Sequence, residues 1–312
     1  MTHPDPGSVR GRVEPVPDDP WWTNPRRDGP YSQLPLTGSH EVGVGHALIT
    51  IVEPHVGHES HYNRWYEDVH FFDGAMQMPW MFAGRRWVAP HWLQPLRYPA
   101  DSPVLQPLEA GKYLGTYWIT KDRLDDHRDW TGATNARHRA IGNVVTDRTT
   151  VYTTFNDAAG NVYRDAQVPR ARYALHDPAA GIVLQVVDAP SRESRDDLER
   201  WLLDEYLPSK VVPGGPVTLA MVFRVLTPLP YYHSVQNYEV LRAIANDERR
   251  LTILWFLDED PQSVWESHFT RQAEDVAAGG KGTTSLVAPF IPAKMGTSLY
   301  EDQLRAPADA DG

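Results

Sequence analysis

Apolar positions along this chain fall into two alternating rhythms. Ala47-Leu48-Ile49-Thr50-Ile51-Val52 is a β-branched run short enough for a strand. From His61 to about Gln77, Trp65, Val69 and Phe72 recur at intervals of three or four, the spacing of one helix face. Strand-length runs follow at Phe82–Val88, Tyr113–Thr120 and Thr149–Phe155, the last closed by Asn156-Asp157. A second helix is expected over Leu124–Ile141, with Asp122 as N-cap and Gly142 just past its end. The same order returns downstream. Strands are expected at Ile182–Val187, Val217–Leu226, Leu251–Leu257 and Thr283–Phe290. One helix is expected from Ser191 or Ser194 to Tyr206, and another from Asp260-Pro261 to Ala278. Val235–Asn246 reads as an extra helix of the second half, where the first half has a proline-rich stretch over 89–110.

The two halves also share residues. Arg64-Trp65 with Asp68 returns as Arg200-Trp201 with Asp204, 136 residues later. His70 of the first half corresponds to Tyr206 of the second. A repeat of this size indicates one supersecondary unit used twice, with a site wherever the copies differ. Each half is strand–helix–strand–strand–helix–strand, a split βαβ or ferredoxin-like unit whose bare sheet face needs a partner. The expected fold class is α+β, with two tandem βαββαβ units closing into an eight-stranded barrel-like core. The expected organisation is a proline-rich arm over 1–40, repeats over 41–160 and 161–300, and a frayed tail over 301–312.

With Asn63-Arg64-Trp65-Tyr66-Glu67-Asp68-Val69-His70 on the first helix, the chain resembles the dimeric α+β barrel superfamily, nearest its EthD-like branch. The resemblance implies a histidine pointing from the first helix into a cavity. It also implies a function within a set that spans isomerases, cyclases, cofactor-free monooxygenases and haem enzymes. The tandem arrangement, the arm and the 89–110 loop depart from the usual single-unit pattern.

Composition narrows the chemistry. The 312 residues carry a formal charge of −11 with no basic stripe, which argues against nucleic acid. There is no cysteine, so disulfides, thiolate metal sites and cysteine nucleophiles are excluded, in keeping with a reducing cytoplasm. No apolar run approaches the ~20 residues of a membrane span. The 11 Trp, 14 Tyr and 8 Phe are enough to line a pocket as well as a core. No nucleotide-binding glycine motif or nucleophile elbow is present.

His70 is the expected general acid/base, with Tyr66 four residues earlier on the same face. Arg86, or Arg85 in the other register, is expected to hold negative charge. Trp65, Trp80, Trp87 and Tyr117 are expected cavity walls, and His58 and His61 are expected at the mouth. His55, His58 and His61 have a spacing that suits a divalent ion, but the reading preferred is a polar loop with no metal. His127 and His138 share a helix face that reads as solvated; either offers an axial ligand should haem be the cofactor. The leading expectation is cofactor-independent proton-transfer chemistry (isomerisation, cyclisation or lyase) on a small, apolar, aromatic or polyketide-like molecule. The alternatives are haem-dependent or cofactor-free oxidation on the same barrel and a non-catalytic hydrophobic ligand binder. A second copy of the chain, meeting at exposed sheet edges, is a candidate partner.

Overall fold

The structure, a computed structural model, describes residues 42–77, 80–226 and 247–306. The expected N-terminal arm, the expected helix over Val235–Asn246 and the last tail residues lie outside the described residues.

Eight strands form a closed antiparallel barrel. They are β1 (Val44–Pro54), β2 (Met81–Val88), β3 (Tyr113–Thr120), β4 (Arg148–Tyr163), β5 (Gly181–Asp188), β6 (Val217–Val225), β7 (Arg250–Leu257) and β8 (Thr283–Pro292). Their order around the barrel is β1-β3-β2-β8-β5-β7-β6-β4. Each half thus contributes the ferredoxin-like order 4-1-3-2, and the two sheets complete each other. One seam, β2 with β8, pairs only Trp87 with Pro292 and Val88 with Ile291. The other, β4 with β6, runs from Asn156–Val225 to Tyr163–Leu219. Every barrel strand has two neighbours, so the sheet-edge argument for a second copy has no footing here.

Strand alternation sorts side chains into two layers. Trp87, Trp118, Tyr152, Phe223, Phe256 and Phe290 fill the lumen. Trp118 stacks on Phe223 across the two halves at 5.6 Å, and Trp87 meets Phe256 edge-on at 6.2 Å. Val104 and Leu105 from the proline-rich loop, with Ala171 and Leu175, join this cluster. The lumen is therefore packed core. The opposite strand faces carry the helices.

In the first half these are α1 (Glu59–Trp65), which continues as π-helical turns Tyr66–His70 and Phe72–Met76, and α2 (Leu124–Ala140). In the second they are α3 (Arg195–Trp201, then a π turn Leu202–Tyr206 and a last turn Leu207–Lys210), α4 (Pro261–His268) and α5 (Gln272–Ala278). The helix and π turn of the second half begin 136 residues after those of the first, the offset of the shared Arg-Trp pair.

Several boundaries differ from expectation. The turn expected at Asn156-Asp157 is strand, because these residues pair with Ala47 and His46 on one side and with Val225 and Arg224 on the other. As a result β4 runs through the boundary placed at 160/161. Asp122 does not cap α2; it has φ 61°, and Arg123 holds the cap position. The single helix expected over 261–278 breaks into α4 and α5, while Asp260 caps its start by accepting from the Gln262 amide at 2.7 Å. Arg305 is anchored rather than frayed, bonded to Glu59 at 2.8 Å, to Glu53 at 2.9 Å and to the Pro54 carbonyl at 2.7 Å.

Candidate active site

The first-helix string does not continue as a regular α-helix. Past Trp65 the hydrogen bonding widens to the i→i+5 pattern of a π turn. That rotation buries Phe71 at 8% exposure and leaves Phe72 at 50%, the reverse of the expected face. It also brings residues five apart together. The His70 ring stacks on Trp65 with centroids 4.7 Å apart and planes at 20°, and lies 5.2 Å from the Tyr66 ring. Gly74 makes this possible, since a Cβ there would lie 2.4 Å from His70 Nδ1.

Trp65, Tyr66 and His70 form one wall of a pocket of about 140 Å³ between the outer face of the first sheet and the helices. Tyr117 from β3 and Arg148, Thr150 and Thr153 from β4 form its floor. The other wall comes from α2 and the segment after it, with Thr131, Asn135, His138 and Asn143. One side is thus aromatic and the other polar. Two glycines on the strands make room for the phenols. A Cβ at Gly115 would lie 2.9 Å from the Tyr66 hydroxyl, and one at Gly84 would lie 2.6 Å from Tyr117 Cδ1.

The electrostatics are one-sided. Tyr66 and Tyr117 share a hydrogen bond between their hydroxyls. Burial raises the pKa of both, so both are neutral phenols. The Arg148 guanidinium lies 4.3 Å over the Trp65 ring, and its Nη1 is buried with no hydrogen-bond partner among the described residues. Burial lowers the Arg148 pKa, against the pull of Tyr62 and Tyr66. His70 is pushed down to about 3, first by burial and then by the charges of Arg148, His138 and Arg86. Its imidazole is therefore neutral, in the pocket that Arg148 also lines.

The structure brings together only part of the expected set. His70, Tyr66, Trp65 and Tyr117 meet in the pocket. Arg86 does not reach it. It points into the helix layer at 1% exposure, donating to Glu67 at 2.7 Å and to the Asn63 side-chain oxygen Oδ1. Its guanidinium lies 3.8 Å over the Tyr113 ring. Burial opposes its charge, but Tyr62, Tyr113, Tyr66 and Glu67 outweigh that and raise its pKa. Arg85 turns to the lumen side, 4.7 Å over Trp87, and donates to the Asp177 carbonyl. Trp87 is lumen core, donating to Thr116 Oγ1 at 2.9 Å. Trp80 packs under Arg123, 4.5 Å away, and does not line the pocket.

His58 and His61 are exposed and lie outside it. The face of His127 and His138 is packed rather than solvated. His127 is 0% exposed against Phe155, and His138 lines the pocket with its Nδ1 accepting from Asn143 at 3.1 Å. Sequence reasoning missed Arg148. The alternation of Arg148 and Thr150 at the start of a strand was the available signal.

Among the described residues, this pocket does not accommodate a haem. The pocket holds about 140 Å³, the scale of a single aromatic ring. His127 lies in closed packing, sharing a hydrogen bond with Thr131 at 3.1 Å.

No protein-family model matches the chain, and no curated protein sequence matches it. Solved structures of similar fold include an anthrone oxidase-like protein, 9% identical with TM-score 0.45, covering 82% of this chain and 96% of its own. A monooxygenase candidate from Lactobacillus acidophilus is 8% identical with TM-score 0.40, covering 80% and 94%. A DypB variant from Rhodococcus jostii, solved in complex with heme, is 11% identical with TM-score 0.44, covering 83% and 94%. No described helix is long and apolar enough to cross a membrane.

Proposed function

We propose that this chain is an enzyme that binds a small one-ring phenol or enol and stabilises it as its anion. The observation that carries this is the buried, unpartnered Nη1 of Arg148, which among the described residues lines the same pocket as the neutral His70 ring. A buried N–H donor without an acceptor is costly, and an oxyanion at that position relieves the cost. At rest His70 is a weak base, because burial disfavours its charged form and Arg148, with His138 and Arg86, repels a second positive charge. A negative charge forming on the substrate cancels that repulsion, so proton transfer from substrate to imidazole becomes favourable as the anion forms. The Tyr66–Tyr117 pair donates one remaining proton toward the substrate oxygen.

This proton removal is the shared first step of the isomerase-type reading and of the cofactor-free oxidative one. In the oxidative reading the electron-rich anion then reacts with dioxygen. The EthD-like assignment belongs to this proposal and rests on the string Asn63–His70.

The test uses 4-nitrophenol as a probe, whose anion absorbs in the visible. The wild-type protein is expected to bind it as the phenolate and lower its apparent pKa, and Arg148→Met is expected to lose that shift. Binding of the neutral phenol alone, or an unchanged shift in Arg148→Met, overturns the proposal. Oxygen consumption by a panel of one-ring phenols then separates the oxidative outcome from isomerisation.

A further inference from the structure

His58 holds the cap position of α1, and His61 follows one turn later, on the helix face that continues to Trp65. Asp147 faces them from the segment that precedes β4. One donor atom from each of the three lies within 4.8 Å of the other two, and His58 Nδ1 is 3.5 Å from Asp147 Oδ2. The two segments are tied independently of these side chains. The His55 amide donates to the Asp147 carbonyl at 3.0 Å, and His55 Nε2 bonds Thr149 Oγ1 at 3.0 Å. The chain between them turns at Gly57, with φ 82°. Among the described residues the His61 ring has no hydrogen-bond partner, so both of its nitrogens are available.

We infer that His58, His61 and Asp147 form a site for a divalent transition-metal ion. Two imidazoles and one carboxylate are the donor set of zinc, cobalt, nickel or ferrous iron, and the remaining positions stay open to water. Donors this close need only side-chain rotation to reach the roughly 2 Å bonds of such an ion. His55, whose spacing in the sequence also suits a divalent ion, instead bonds Thr149, and Asp147 stands with His58 and His61. The ion would staple the start of α1 to the start of β4. Asp147 adjoins Arg148, and Trp65 donates to the Asn143 carbonyl at 3.3 Å, so the staple fixes the part of the floor that carries the pocket's cation. This inference stands apart from the phenol-binding proposal, and its readout needs no turnover.

The experiment titrates the full untagged chain with Co²⁺ at pH 7.5 and follows visible ligand-field absorption, with thermal unfolding in parallel. One equivalent is expected to give bands that Zn²⁺ displaces and to raise Tm. His61→Ala and Asp147→Asn are each expected to weaken binding by at least about tenfold. His268→Ala, at a half-buried histidine outside the cluster, is expected to bind like wild type. Absence of stoichiometric bands in the wild-type protein, or equal affinity in folded His61→Ala and Asp147→Asn, overturns the inference.

Discussion

The imidazole of His70 lies flat on the indole of Trp65 at 4.7 Å and 20°, and in the second half the phenol of Tyr206 lies on Trp201 at 5.0 Å and 22°. The two halves build the same stack on the same π turn and differ in the ring laid on it. In the second half the hydroxyl of that ring donates to Gln272, so the tyrosine is engaged in packing. His70→Tyr is therefore expected to fold, with Tm within a few degrees of wild type. Turnover of any phenolic or enolic substrate should fall by about 10²–10⁴-fold, the usual contribution of a positioned acid/base group. Calorimetry alongside steady-state kinetics checks both halves of this expectation.

His70 gives stability a defined pH dependence. Its folded pKa is lowered to about 3 from an ordinary 6.5. In the unfolded chain the ring takes up a proton near 6.5, and in the folded protein it does not. Its contribution is fully present above 6.5 and is lost progressively as the pH falls toward 3. The urea midpoint of the wild-type protein should drop more steeply between pH 7 and pH 4 than that of His70→Gln. Equal slopes in the two proteins would show a ring that titrates normally.

Gly74 is required by the ring above it. A methyl group there would sit 2.4 Å from His70 Nδ1. Alanine favours helix by up to about 1 kcal/mol over glycine, so Gly74→Ala should not unfold the helix. It should instead push His70 off Trp65. The expected outcome is loss of the ring-current shift of the His70 protons by NMR, with reduced turnover and a near-normal circular dichroism spectrum.

Arg86 and Arg148 should respond in opposite ways. Arg86 is paired with Glu67, which also accepts from the Gly296 amide at 2.6 Å. Removing one partner of such a pair costs about 3–5 kcal/mol, so Arg86→Met and Glu67→Gln should each lower the unfolding free energy on that scale. Arg148 has a buried Nη1 with no such partner among the described residues. Arg148→Met should leave stability unchanged or raise it while abolishing anion binding. Chemical denaturation of the three variants checks the contrast.

Much of the fold was legible because local pattern and tertiary demand agreed. The strand expected at Tyr113–Thr120 is observed with the same ends, since it is buried on both faces and bounded by turn residues. The Asn156-Asp157 turn signal failed because β4 continues past β1 to close the barrel, a long-range requirement that no local pattern carries. There Asp157 accepts from His46 at 2.6 Å instead of turning the chain. The π turn failed for a different reason. A 3.6-residue template pairs Tyr66 with His70, which holds, but cannot pair Trp65 with His70. Alternation on β2 correctly separated Arg85 from Arg86. It could not reveal that Glu67 waits for Arg86, and that partner decides that the charge is already neutralised.

The stoppered lumen places chemistry and architecture on opposite faces of the same strands. Trp118 and Leu114 serve the interior while their neighbours Tyr117 and Gly115 serve the pocket. A lineage carrying this scaffold can therefore revise what it recognises by exchanging outward residues of β3 and β4, with the load of holding the barrel shut left to the residues in between.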